Sequence, residues 1–252
     1  MSVRLKVTLA YDGTDFFGWQ VQKNGRTVQG VLFDALERMH KHRVGLHAAG
    51  RTDSGVHAYG QVVDFETDIS SLEPERFYVA LNSYLPKDVR ARCSRVVDDE
   101  FHARYSARHR TYRYYWMRGT HLPPQTFRFR GPLTHSVSFS RLNRLCRPLI
   151  GSHDFSTFTV PTEKSENRQR TVHYASFLPF GSCVVFEITA NAFLWRMVRS
   201  IAGTLIELDK IGAEPVEVGQ RLAARDHSAA GPSAPACGLS LHHVAYDDEY
   251  ME

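Results

Sequence analysis

Val3, Leu5, Val7 and Leu9 alternate with polar residues, the period-two signature of a half-buried strand. A turn-rich stretch follows from Tyr11 to Asn24, with Gly13, Gly18 and Gly25 in and just after it. Thr27 has the chemistry of an N-cap, and Val28, Val31, Leu32, Ala35, Leu36 and Met39 recur at helical spacing behind it. Val44–Ala49 predicts a short strand, Gly50–Gly55 a loop, and Gln61–Glu66 another strand. Pro74 opens a second helix with Phe77, Ala80, Leu81 and Tyr84 on one side, and Asp88–Val97 reads as a strand. The order is β-α-β-β-α-β, the ferredoxin-like unit.

The second half echoes that order loosely. Arg110–Met117 is aromatic and β-branched, hence a strand, and Phe139–Leu149 has a helical pattern. Arg170–Phe180 and Cys183–Ala190 form a hairpin across the two-residue turn Gly181-Ser182. Phe193–Leu208 predicts a long helix, Pro215–Ala224 a shorter one, and Leu239–Tyr246 a closing strand. The division is expected between residues 106 and 107, giving an α+β half over 1–106 and a second over 107–252. The stretches 120–135 and 160–170 have loop composition and suit either surface connections or the rim of a substrate cleft.

Of the 252 residues, 42% are apolar and 23% charged, the balance of a globular chain. No apolar run is long enough to span a membrane, and no signal-like block opens the chain, which predicts a cytoplasmic protein. Cys93, Cys146, Cys183 and Cys237 are far apart, which disfavours a zinc site or a disulfide scaffold. The net charge of +4 hides an asymmetry. Arg90–Arg147 holds 13 arginines, no lysine and three acids (Asp98, Asp99, Glu100), or +10, leaving −6 for the rest. Clustered guanidinium groups suit phosphate and bases, so the charge points towards nucleic acid.

No phosphate-binding loop, dinucleotide fingerprint or zincin motif is present. His40 and His42, two apart on a predicted helix, diverge, as do the adjacent His242 and His243 in a predicted strand, so no metal site is expected. One polar loop stands out: Gly50-Arg51-Thr52-Asp53-Ser54-Gly55. A carboxylate between small residues, with Arg51 near enough to orient it, can serve as nucleophile or general base. The same pattern also fits an aspartate in a turn beside a surface ion pair. Phe16, Phe17 and Trp19 fit a lid over the core slightly better than a base-stacking platform.

The segment Gly50–Ala58 resembles the catalytic motif of the tRNA pseudouridine synthase A family. Tyr11-Asp12-Gly13 through Gly18-Trp19-Gln20, Thr27-Val28-Gln29 and Gly60-Gln61-Val62-Val63 are similar to its N-terminal signatures. Phe101-His102-Ala103-Arg104-Tyr105-Ser106-Ala107 resembles its RNA-contacting segment, followed by Arg110-Thr111-Tyr112-Arg113-Tyr114. Gly151–Phe155, Ala190–Leu194 with Met197-Val198-Arg199, and Ala234-Pro235-Ala236 before Gly238-Leu239 extend the resemblance along the chain. Trp195-Arg196 departs from the family pattern, which has an aromatic or histidine and then histidine there.

The resemblance implies two ferredoxin-like (RRM-like) halves whose strands make one mainly antiparallel sheet with a central cleft. It implies isomerisation of uridine to pseudouridine in tRNA, at positions 38, 39 and 40 of the anticodon stem-loop, with no metal or organic cofactor. Asp53 is then the catalytic carboxylate. Arg51 would hold it and fill the gap left by the target base, Tyr112 would stack on the uracil, and Arg199 would contact the aspartate. Phe101, His102, Ala103, Arg104 and Tyr105 would contact RNA, and the protein would be a homodimer. A non-catalytic RNA-binding protein and a base-excising glycosylase are the competing classes, and the strands lack the aromatic pattern of the first.

Overall fold

A computed structural model describes residues 2–247. In chain order the elements are β1 (Val3–Tyr11), α1 (Val28–His40), β2 (Leu46–Ala48), β3 (His57–Thr67), α2 (Phe77–Asn82), β4 (Val89–Val96), β5 (His109–Arg118), β6 (Gly131–Leu133), α3 (Phe139–Cys146), β7 (Gly151–Asp154), β8 (Gln169–Phe180), β9 (Cys183–Ala190), α4 (Met197–Lys210), α5 (Pro215–Ala224) and β10 (Leu239–Ala245). The class is α+β with mainly antiparallel strand pairing, as expected. The chain divides into two compact units, Met1–Arg108 with Leu241–Glu252, and His109–Ser240. A division by chain order at 106/107 leaves the last strand with the second half. In the structure β10 hydrogen-bonds β3, and that pairing draws residues from 241 onward into the first unit.

In the first unit the strands run in the order β4-β1-β3-β10, and β2 also pairs with β3. Every second residue of β1 faces the core: Leu5, Val7 and Leu9 are fully buried. Leu5 sits opposite Phe65, whose ring centroid lies 5.6 Å from that of Phe77 on α2. The Thr27 side chain accepts the Gly30 N–H and starts α1, as the sequence predicts, and a cap of this kind stabilises by about 1 kcal/mol.

In the second unit β5 pairs with β9, β9 with β8 and β8 with β7, all antiparallel, while β6 lies parallel to β5. The β8–β9 hairpin turns at Gly181, whose φ of +56° suits a residue without Cβ. Trp116, Phe177 and Phe186 form an aromatic core, Phe177 stacked on Trp116 and tilted against Phe186. Asn143 on α3 clips that helix to β8 through both the N–H and the C=O of Phe177. The helix expected from Phe193 begins only at Met197. Arg196 stands at φ +61°, a left-handed position that no α-helix interior contains, so Phe193–Trp195 stay outside the helix and a turn at Trp195-Arg196 leads into it.

Candidate active site

The Asp53 loop of the first unit is held from below at nearly every residue. Tyr11 and Thr52 share a buried hydroxyl–hydroxyl hydrogen bond of 2.8 Å. Burial pushes the Tyr11 phenol above its ordinary range, so it stays protonated and available to that bond. The Thr52 carbonyl accepts the Trp19 N–H at 3.0 Å. The Phe16 carbonyl accepts from both the Gly55 N–H and the Ser54 hydroxyl. Gln61, from β3, donates to the Gly50 carbonyl at 2.8 Å. These contacts leave Asp53 half-buried at the head of a tight turn, closed by Val56 N–H to Asp53 C=O.

Two glycines let the first loop lie flat against this one. A Cβ on Gly13 would come within 2.0 Å of the Val56 carbonyl oxygen. One on Gly18, at φ +84°, would come within 2.8 Å of the Thr52 carbonyl oxygen and 3.1 Å of the Asp53 carbonyl carbon. His57 completes the seam, its Nδ1 accepting the Gly13 N–H at 3.0 Å with Asp12 3.3 Å away. Phe16 and Trp19 are core residues, at 1% and 2% exposure, while Phe17 remains outside.

Arg51 is exposed and makes no ion pair among the described residues. The expected clamp of Arg51 on Asp53 is therefore not made.

Tyr112 and Arg199 belong to the second unit. Tyr112, opposite Ile188 in the β5–β9 ladder, is largely buried, and the Phe193 ring meets it edge to face at 5.1 Å. Arg199, in the first turns of α4, donates Nε to the Ala234 carbonyl at 2.8 Å, and its own carbonyl accepts the Ala234 N–H. The segment Ala234-Pro235 is fixed further by the Tyr114 hydroxyl, which donates to the Pro235 carbonyl at 2.8 Å. Gly131 and Gly238 make room for that tyrosine, since a Cβ on either would reach it at 2.4 Å. Trp195 and Arg196, where the chain departs from the family pattern, are exposed. The Arg196 guanidinium lies 5.7 Å from the Trp195 ring. Glu163, in the 160–170 loop, accepts the Trp195 N–H at 2.7 Å.

The segment Phe101–Tyr105 of the first unit has an inside and an outside. Ala103 is fully buried, its N–H bonded to Asp64 at 2.7 Å and its carbonyl to the Tyr246 hydroxyl at 2.7 Å. Phe101 packs at 5.0 Å on Tyr246, beside the buried Lys6. Arg104 and Tyr105 point outward, Tyr105 being 76% exposed. His102 stacks on His47 at 4.1 Å, and burial together with the neighbouring His47 holds its imidazole below the usual value. His47, Asp64 and His102 bring donor atoms within 4.8 Å of one another, a spacing the sequence did not reveal because the three lie on separate elements. The Asp64 oxygens already take Arg4 at 2.7 Å, His47 at 3.2 Å and the Ala103 N–H. The Arg4 guanidinium supplies the charge that a cation would bring, and the two imidazole rings lie nearly parallel rather than converging on a point.

The profile of the tRNA pseudouridine synthase family matches residues 8–106 and 145–247. Together with the fold, this makes the chain an enzyme of the pseudouridine synthase class, an isomerase. A Geobacillus kaustophilus protein is 42% identical over 255 residues, covering 100% of this chain and 97% of its own length. An Exiguobacterium protein is 40% identical over 244 residues (97% and 98%), and a Bacillus subtilis protein 39% identical over 250 (98% and 100%). All three are named tRNA pseudouridine synthase A. The chain belongs to the tRNA pseudouridine synthase A family.

Proposed function

We propose that this isomerase converts uridines 38, 39 and 40 of the tRNA anticodon stem-loop to pseudouridine, with Asp53 as the catalytic carboxylate. The observation that carries the assignment is the Asp53 loop itself. Backbone and buried side-chain bonds fix both its flanks, while the aspartate is only half-buried and Arg51 beside it has no acidic partner among the described residues. A fixed carboxylate next to an uncommitted guanidinium suits a substrate that is itself a phosphodiester.

The reaction is internally balanced. The N1–C1′ bond breaks, the uracil turns, C5 bonds to C1′, the C5 proton leaves and N1 carries one in the product. The target base leaves its stack so that the carboxylate can reach the sugar or the base. Arg51 fills the gap the base leaves. The Tyr112 ring stacks on the uracil with its hydroxyl towards the ribose, and the Arg199 guanidinium contacts Asp53. Asp53 acts on the nucleoside by adding to the base, by attacking C1′ or by assisting deprotonation at C2′. The exposed Arg104 and Tyr105 meet the RNA, while Phe101, His102 and Ala103 hold their segment in place. The same reading makes the protein a cytoplasmic homodimer whose two chains share the RNA surface. No helix among the described residues is long and apolar enough to cross a membrane.

The deciding experiment treats an unmodified anticodon stem-loop transcript with the protein. The expected result is an unchanged RNA mass with carbodiimide adducts at positions 38–40. Release of free uracil would make the protein a glycosylase, and unaltered uridine would leave an RNA binder.

A further inference from the structure

Arg92, on β4, is exposed yet held at two points. Its guanidinium carbon lies 3.8 Å from the centroid of the Tyr59 ring, and Nη1 donates to the Tyr59 carbonyl at 2.9 Å. The His242 ring from β10 stacks on the same tyrosine, 5.4 Å away and inclined by only 12°. Gly60 makes this approach possible, since a Cβ there would come within 2.4 Å of the His242 carbonyl oxygen. Tyr59 itself is 51% exposed and follows closely on His57, the residue that seams the Asp53 loop to Gly13.

Several other arginines are already neutralised or committed. Arg26 pairs with Asp88, Arg108 with Asp247 and Arg113 with Glu187. Arg90 gives Nη1 to the carbonyls of Leu85, Pro86 and Val89. Arg92 has no carboxylate partner among the described residues, yet it is not loose. One hydrogen bond and one ring contact hold it, and the residue is exposed. A guanidinium held in this way loses little freedom when it meets an anion, and its planar fork matches two phosphate oxygens.

We propose that Arg92, held over the Tyr59 ring beside His242, is a phosphodiester contact that positions the RNA on the first unit. The proposal rests on the reading of tRNA as substrate. Arg92 touches no reacting atom, so it is a positioning residue, and Tyr59 acts through it.

Filter binding of an unmodified tRNA transcript at several salt concentrations tests the contact, with steady-state conversion of the same transcript alongside. Arg92→Gln should weaken binding about three- to tenfold at moderate salt and lower the log–log salt slope by about 0.9. The loss should fall on KM rather than kcat. Arg92→Lys should restore the slope, Tyr59→Leu should weaken binding, and Tyr59→Phe, which keeps the ring, should match the wild type. An Arg92→Gln protein with wild-type affinity and slope overturns the proposal, as does a Tyr59→Leu protein that binds like the wild type. Failure of the tRNA reading shows separately, as a wild-type protein that leaves the transcript without carbodiimide-reactive pseudouridine. A wild-type protein that neither converts nor binds tRNA overturns both.

Discussion

Gly18 and Thr52 lie backbone to backbone, so close that a methyl group on Gly18 would stand 2.8 Å from the Thr52 carbonyl oxygen. The first loop is thus the floor on which the Asp53 turn rests. Gly18→Ala must either tolerate φ +84° with a side chain or move the turn. We expect a loss of about 1–2 kcal/mol, roughly 2–4 °C in Tm per kcal/mol, and a fall in conversion rate larger than the stability loss explains. Gly219→Ala is the control. It lies in α5 with nothing within 4 Å of the added methyl, and should stabilise by about 0.5–1 kcal/mol with activity unchanged. Equal behaviour of the two variants in melting and turnover would remove the floor from the account.

Asp53→Asn should keep the fold and the affinity for RNA, because the bonds that hold the turn come from its neighbours. Conversion should fall by about a thousandfold or more, as it does when a nucleophile or base is removed. A variant that converts the stem-loop at a few per cent of the wild-type rate would refute the catalytic role.

Tyr112→Phe keeps the edge-to-face contact with Phe193 and the stacking face, and should retain affinity while slowing turnover. Tyr112→Ala removes the ring, at about 1–3 kcal/mol per stacked base. Single-turnover rates and titrations on the same transcript separate the two effects. A fully active Tyr112→Phe would confine the residue to stacking.

The arginines near Tyr112 in sequence should differ in their effect on RNA binding. Arg113→Ala and Arg108→Ala remove cations already matched by Glu187 and Asp247, and should leave the salt slope of RNA binding nearly unchanged. Arg104→Ala, on the exposed side of its segment, should lower that slope by up to about one. A slope shifted equally by all three would mean that these ion pairs open when RNA binds.

Glu163 links the 160–170 loop to pH. Burial works to raise its carboxyl pKa, but the N–H groups of Trp195, Ser165 and Lys164 and the charge of Arg170 outweigh it, and the net value lies below the ordinary 4.5. A depressed pKa contributes stability above the unfolded value, and that contribution is lost as pH falls through the folded one. Melting followed from pH 6 downward should show Glu163→Gln less stable than the wild type at pH 6, with the gap closing below about pH 4.5. A gap that stays constant with pH would assign Glu163 a packing role only.

Much of this was legible in the sequence because periodicity and capping are local. β1, α1 and the β8–β9 hairpin follow directly from alternation, Thr27 and Gly181-Ser182. β6 and β7, at three and four residues, are too short to show a period. The late start of α4 depends on Arg196 in a left-handed conformation, which residue type alone does not announce. At the site, Asp53 was legible through its bracketing glycines. Its support was not, since Tyr11, Phe16, Gly18 and Gln61 reach it from three other segments. Arg51, adjacent to Thr52, was expected to be its partner and is not. The Tyr59–Arg92–His242 stack joins three strands and leaves no trace in any single stretch of sequence.

The Tyr246 hydroxyl reaches back 143 residues to the Ala103 carbonyl, and β10 lies along β3. A ribosome making this protein releases residues 1–108 of the first unit well over a hundred residues before the strand that finishes it. Until β10 and Tyr246 have been made, β3 has an unsatisfied row of amides there, and Ala103 lacks its hydroxyl partner. The carboxylate loop thus emerges on a scaffold that is one strand short. Chains cut off before Leu239 should then be sticky and inert even though Arg51, Asp53 and Tyr112 are all present, so the nascent enzyme acquires its RNA-modifying competence only once β10 has been made and paired.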